Sequence, residues 1–151
     1  MATRTYVREV VIGLLYAYEC GNTNIAQNAP KILDERKIKN KQQIFALALL
    51  NGTLKNLEAI NMYLGETLKE WEFTRLGQME KSILRLGAYE MLFTQTDTPV
   101  IINEAINFAK IYGEDNAPKL INGVLDALKH KRGMQPHATP IIDKANEQDG
   151  L

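Results

Sequence analysis

The chain has 151 residues, 45% of them hydrophobic, enough for one compact domain with a substantial core and too few for two ordinary ones. Eighteen Lys and Arg balance eighteen Asp and Glu, so there is no overall electrostatic pull toward nucleic acid or membrane, and any polyanion contact must come from a local patch. The single cysteine, Cys20, excludes an intramolecular disulfide and a thiolate-rich zinc site and fits a reducing cytoplasm; the opening "MATRTYVREV" leads into no long apolar run, so neither a secretory signal nor a membrane span is expected.

In chain order, Val7, Val10, Val11, Leu14, Leu15 and Tyr18 recur at helical spacing between Thr3 and Cys20, with Gly21 and Asn22 as the stop. A second helix covers about Ile25 to Asp34 and runs into the charged bend "ERKIKNKQ". Ile44, Phe45, Leu47, Leu50, Leu54, Leu57, Ile60 and Leu64 mark one long helix up to Gly65, and "EWEFTRLG" reads as a connector with a short turn around Trp71. Met79, Ile83, Leu86, Tyr89, Glu90 and Phe93 define the next helix, which "TQTDTP" ends at Pro99. Helices from about Val100 to Tyr112 and from Pro118 to Lys131 follow. No segment alternates with a period of two, so the expectation is an all-α single-domain bundle of about six to seven helices over residues 1–132, with 133–151 as a flexible tail to which Ile141 and Ile142 add little.

Catalytic patterns are missing: there is no G-x-S-x-G, no H-E-x-x-H, no Cys/His pairing and no Gly-rich phosphate loop, and His130 and His137 both lie at the C-terminal end. No enzyme activity, metal or cofactor is expected. Two surfaces stand out instead. On the first helix Arg4 and Arg8 flank the core stripe and lead on to Ile12 and Tyr16, which form either a second contact surface or a face covered by another helix. At the bend before the last helix, Gly113 can form a left-handed cap, Asn116 can N-cap, Pro118 suits the first turn, and Lys119 sits at a helix N-terminus that favours anions. Gly123, inside that helix, suggests a close helix approach.

The segments "VREVVIGLLYAYE", "LGQMEKSILRLGAYEML", "INEAINFAKIYG" and "PKLINGVLDAL", in this order from about Arg4 to Lys129, resemble the NusB family of bacterial transcription antitermination factors. The resemblance implies an all-helical domain that pairs with NusE, a small-subunit ribosomal protein, binds the boxA element of nascent ribosomal RNA as a single strand, and joins the RNA polymerase antitermination complex. Carried onto this chain, the RNA-binding positions are Arg4, Arg8, Tyr16, Asn116, Lys119 and Leu120, with Tyr16 and Glu80 on the NusE side. Some positions depart from the family pattern. Thr5 and Tyr6 separate Arg4 from Arg8 where the family has a denser arginine cluster, Leu120 stands where an aromatic can stack, and Asn116 where an aspartate can occur. Two alternatives stay open at this point: a homodimer burying the flank of the first helix, and a NusB-like domain of an rRNA cytosine methyltransferase, for whose cofactor domain this chain has no room.

Overall fold

The computed structural model describes residues 2–68 and 70–133, and among them eight α-helices and one 3₁₀ turn with no strand. The helices are α1 (Arg4–Glu19), α2 (Ile25–Glu35), α3 (Asn40–Lys55), α4 (Leu57–Thr67), α5 (Glu70–Arg75), α6 (Gln78–Phe93), α7 (Thr98–Tyr112) and α8 (Ala117–Leu128), with the turn at Lys129–Lys131. The all-α expectation holds, with a helix count slightly above the expected range. The proposed tail lies outside the described residues apart from Gly133.

The extra helix arises where the apolar period is unbroken but the backbone is not. Asn56 has φ −105° and ψ 18°, away from helical values, and its side-chain amide donates to the Gly52 carbonyl at 2.8 Å alongside its own backbone N–H at 3.1 Å. The interruption falls at this one residue, so the segment read as one helix is two, α3 and α4. At the end of α1 the predicted stop is in place, with Gly21 at φ 111°, a left-handed conformation that glycine adopts without steric cost.

Helix α6 is the hub of the bundle. Every residue from Ser82 to Phe93 is buried, and the helix packs against α1, α3, α4, α7 and α8. A helix apolar on all sides would be an ordinary core rod. This one also carries three buried charged residues, each binding a different neighbour. Glu80 reaches the bend before α8, Arg85 reaches Asn61 of α4 and Glu19 of α1 at 3.0 Å each, and Glu90 reaches Arg8 of α1. Burying a charge is costly unless it is paired and hydrogen-bonded, so these pairs fix which helix lies where around α6. Near the end of the described chain, Arg132 closes the α6–α7 loop, donating to the carbonyls of Thr94 and Thr96 and to the Thr98 hydroxyl at 2.9, 2.6 and 2.8 Å.

Close backbone approach falls at glycines other than the one expected. A Cβ at Gly123 would meet nothing within 4 Å, so this residue faces open space and its helix makes no tight contact there. The α6–α8 crossing is tight at Gly87, where a Cβ would stand 3.0 Å from Leu125, and the α3–α6 contact is tight at Gly52, against the ring of Tyr89.

Candidate nucleic-acid interface

Helix α1 starts where the Thr3 hydroxyl accepts the Tyr6 N–H at 3.0 Å, a side-chain N-cap that fixes the first turn carrying Arg4. Arg4 is half-buried, its guanidinium 4.2 Å from the centroid of Phe45 on α3, within cation–π range. Arg8 does not stand on the surface as an RNA contact would require. It is 4% exposed, its Nε and Nη2 fork onto the two carboxylate oxygens of Glu90 at 2.7 and 3.0 Å, and Nη1 lies 3.4 Å from Glu104 of α7. Burial pushes this guanidinium's pKa down, and the charges and hydrogen bonds of Glu90 and Glu104 more than reverse that, so it ends above its ordinary value. The periodicity that placed Arg8 off the core stripe was read correctly; α6 and α7 cover that side.

The same two helices cover Ile12, which is 2% exposed, and leave Tyr16 at 40%. Of the two readings open for this flank, each therefore applies to one residue. A hydrogen bond with Cys20, one turn on, and then repulsion from the thiolate form of that residue raise the pKa of the Tyr16 phenol, which keeps the ring neutral. Helix α7 runs beside α1, with the Thr5 hydroxyl donating to Glu104 at 2.7 Å and the Tyr112 hydroxyl donating to Glu9. That last bond, with desolvation and the Glu9 charge behind it, raises the Tyr112 phenol as well. Glu9 and Tyr16 are seven residues apart and so lie on one side of α1 within about 20° and roughly 10 Å of one another along the axis. The exposed rings of Tyr112 and Tyr16 thus belong to one surface, and the bend into α8 leaves it directly.

That bend is built differently from the sequence reading. Gly113 is extended, at φ −96° and ψ 173°, with no left-handed cap; glycine is required because a Cβ would fall 2.6 Å from that of Ala117 and 2.9 Å from the Ala109 carbonyl. Asn116 holds the N-cap position of α8, but its side chain makes no capping bond and stays exposed. Lys119 is exposed and Leu120 half-buried. The bend is held in place by Glu80, which the resemblance sets on the NusE side and which is 7% exposed: Oε1 accepts the Gly77 N–H at 2.8 Å, capping α6, and Oε2 accepts the Glu114 N–H at 3.0 Å. Arg75, Leu76, Glu80, Glu114, Asn116, Ala117 and Leu120 line an open cleft of about 390 Å³ at this point. Glu80→Gln is expected to lower stability by about 1–3 kcal/mol, because an amide can accept only one of the two N–H groups and turns a donor toward the other. Urea unfolding checks this, and an unchanged midpoint would mean that water replaces the lost acceptor.

The structure therefore divides the predicted residues. Tyr16, Asn116, Lys119, Leu120 and Glu80 belong to the α1–α7–α8 side; Arg4 lies about 18 Å from Tyr16 along α1, on the α3 side; and Arg8 is buried between. Sequence reasoning missed the partners Glu90, Glu104, Glu9 and Tyr112. A signal existed for Glu90, a carboxylate inside the otherwise apolar run "LGAYEML", which calls for a buried cation.

An α-helical body organised around a buried hub, with aromatic and cationic side chains exposed about a polar interhelical bend, defines a binding module of the all-α class. The chain belongs to the NusB family, whose profile matches residues 5–130. It is 61% identical over 129 residues to the transcription antitermination protein NusB of Helicobacter hepaticus, covering 85% of this chain and 82% of that one. Among solved structures it resembles T. maritima NusB, with a TM-score of 0.79, 30% identity and coverage of 97% and 98% of the two chains. It also resembles a chain in the crystal structure of the antitermination factors NusB and NusE in complex with dsRNA, with a TM-score of 0.75, 26% identity and coverage of 84% and 96%. No described helix is long and apolar enough to cross a membrane.

Proposed function

We propose that this chain is a transcription antitermination factor that pairs with NusE and binds the boxA element of nascent ribosomal RNA as a single strand, within the antitermination complex on RNA polymerase. The observation that carries the reading is the exposed set around the bend, Tyr16, Asn116 and Lys119, beside the cleft whose wall Glu80 holds. Family membership supports the antitermination reading, and the solved complex of a similar chain with NusE and dsRNA supports binding to RNA and to that partner. Exposed phenol rings suit unpaired bases, and a lysine in the first turn of a helix suits a phosphate. With a net charge of zero, the chain alone has little electrostatic affinity for RNA, so a basic partner raises it. Glu80 serves the NusE side by shaping the cleft, and Arg8 serves the RNA side by fixing α1 against α6.

The test is binding of a boxA-like single strand against a scrambled one, with and without NusE. Lys119→Ala and Arg4→Ala are each expected to weaken boxA binding in the NusE complex and to reduce the log–log salt slope by about 0.7. Tyr16→Ala is expected to lose roughly 1–3 kcal/mol with little change in slope. Equal affinity for boxA and scrambled RNA, or slopes untouched by both basic substitutions, would sink the assignment.

A further inference from the structure

The charged bend "ERKIKNKQ" has no part in the surfaces described so far, and the fold turns it into a compact corner between α2 and α3. Lys31, Arg36, Lys37, Lys39 and Lys41 stand exposed there against only two carboxylates, Asp34 and Glu35, a local excess of cations in a chain whose total charge is zero. Asp34 is engaged, accepting the Gln43 side-chain amide at 2.8 Å, and the same amide donates to the Ile38 carbonyl at 3.0 Å. Ile38 is fully buried beneath the corner. A cluster pinned by a core residue and a side-chain staple presents its cations from a fixed backbone. Among the described residues, Arg36, Lys37 and Lys39 form no ion pair that would neutralise them.

Position gives this corner its meaning. The Tyr6 hydroxyl of α1 donates to the Arg36 carbonyl at 3.4 Å, and Arg4 stacks on Phe45, which lies one turn beyond Lys41 on the same side of α3. The cations therefore continue from Arg4 across the start of α3 and onto the corner, where they outnumber the carboxylates Asp34 and Glu35, on the side of α1 away from the α7–α8 bend. We propose that the α2–α3 corner is a second phosphate-tracking surface, which carries the RNA strand past Arg4 and binds nucleotides flanking the boxA element through backbone charge alone. This rests on the RNA-binding reading above. The corner segment, residues 35–42, offers cations and no aromatic of its own, so it contacts phosphates and reads no bases, and the contribution is independent of flanking sequence and strongly dependent on salt. It also supplies charge where the opening of α1 has few arginines.

The experiment compares, in the complex with NusE, a boxA core oligonucleotide with the same core lengthened by about eight uridines at its 5′ or its 3′ end. The parent is expected to bind one lengthened strand more tightly than the core. Arg36→Gln, Lys37→Asn and Lys39→Gln combined should abolish that gain and lower the salt slope on the lengthened strand by about 2, while leaving affinity for the core and the helical circular dichroism at parent values. Asn is chosen at 37 because the residue sits at φ 62°, where Asn is tolerated. No gain from lengthening, a gain that the triple variant keeps, or a loss without change of slope overturns the proposal while the boxA reading survives. A parent complex that does not bind the core overturns both. If the variant instead loses binding to phosphatidylglycerol vesicles and keeps its RNA gain, the corner is a lipid-facing patch and the proposal falls.

Discussion

Arg8→Ala is expected to destabilise the fold by about 3–5 kcal/mol and, at temperatures where the variant remains folded, to leave the salt slope of RNA binding at the parent value. The side chain lies in a site closed by α1, α6 and α7, and removing it strands the 2%-exposed carboxylate of Glu90 with no cation. Arg8→Lys should recover only part of the loss, since an ammonium cannot fork onto both carboxylate oxygens while also reaching Glu104. Combining Arg8→Met with Glu90→Met should recover more, because replacing both members of a buried pair by apolar groups is often close to neutral. Equilibrium urea unfolding measures all three. A slope reduced by about 0.7 in Arg8→Ala with stability intact would return Arg8 to the RNA surface and refute the structural role.

Arg8 also shows where reading the sequence stops. Its helix, its register and its place off the apolar stripe follow from the spacing of Val7, Val11, Leu14 and Tyr18. Whether that flank meets solvent or another helix depends on α6 and α7, about 80 to 100 residues away, and no local pattern encodes it. The same limit explains Glu80, whose two acceptors serve the Gly77 and Glu114 N–H groups from opposite ends of a tertiary contact. Ile12 and Tyr16, which share that flank, divide in the same way: Ile12 is 2% exposed and Tyr16 40%, a difference their spacing alone leaves open. The α3–α4 break was not legible, since the apolar period runs straight through Asn56 and only the non-helical backbone dihedrals of that residue mark it. Order, type and approximate bounds of the other helices followed from periodicity and stop signals, which are local, except for α5, a six-residue helix where the sequence suggests only a connector with a short turn.

Glycine gives the second large effect and the sharpest contrast with periodicity alone. Gly52→Leu is expected to lower stability by about 3 kcal/mol or more, and Gly123→Leu to leave it unchanged or raise it by up to about 1 kcal/mol. A Cβ at position 52 would fall 2.2 Å from the Tyr89 hydroxyl oxygen and 2.3 Å from its ring carbon Cζ. Tyr89 cannot swing clear: it is buried in the hub helix and stacked on Phe93 with ring centroids 5.7 Å apart. The strain must therefore separate α3 from α6, and through α6 it reaches the charged contacts that place α1 and the bend. At Gly123 no atom would meet the new Cβ, and the only effect left is the removal of a glycine from a helix interior, which favours folding. For a chain of this length the two variants should differ in melting temperature by about 10 °C. Equal melting temperatures would show that α3 and α6 can part locally at Tyr89, and that the hub is softer than its burial implies.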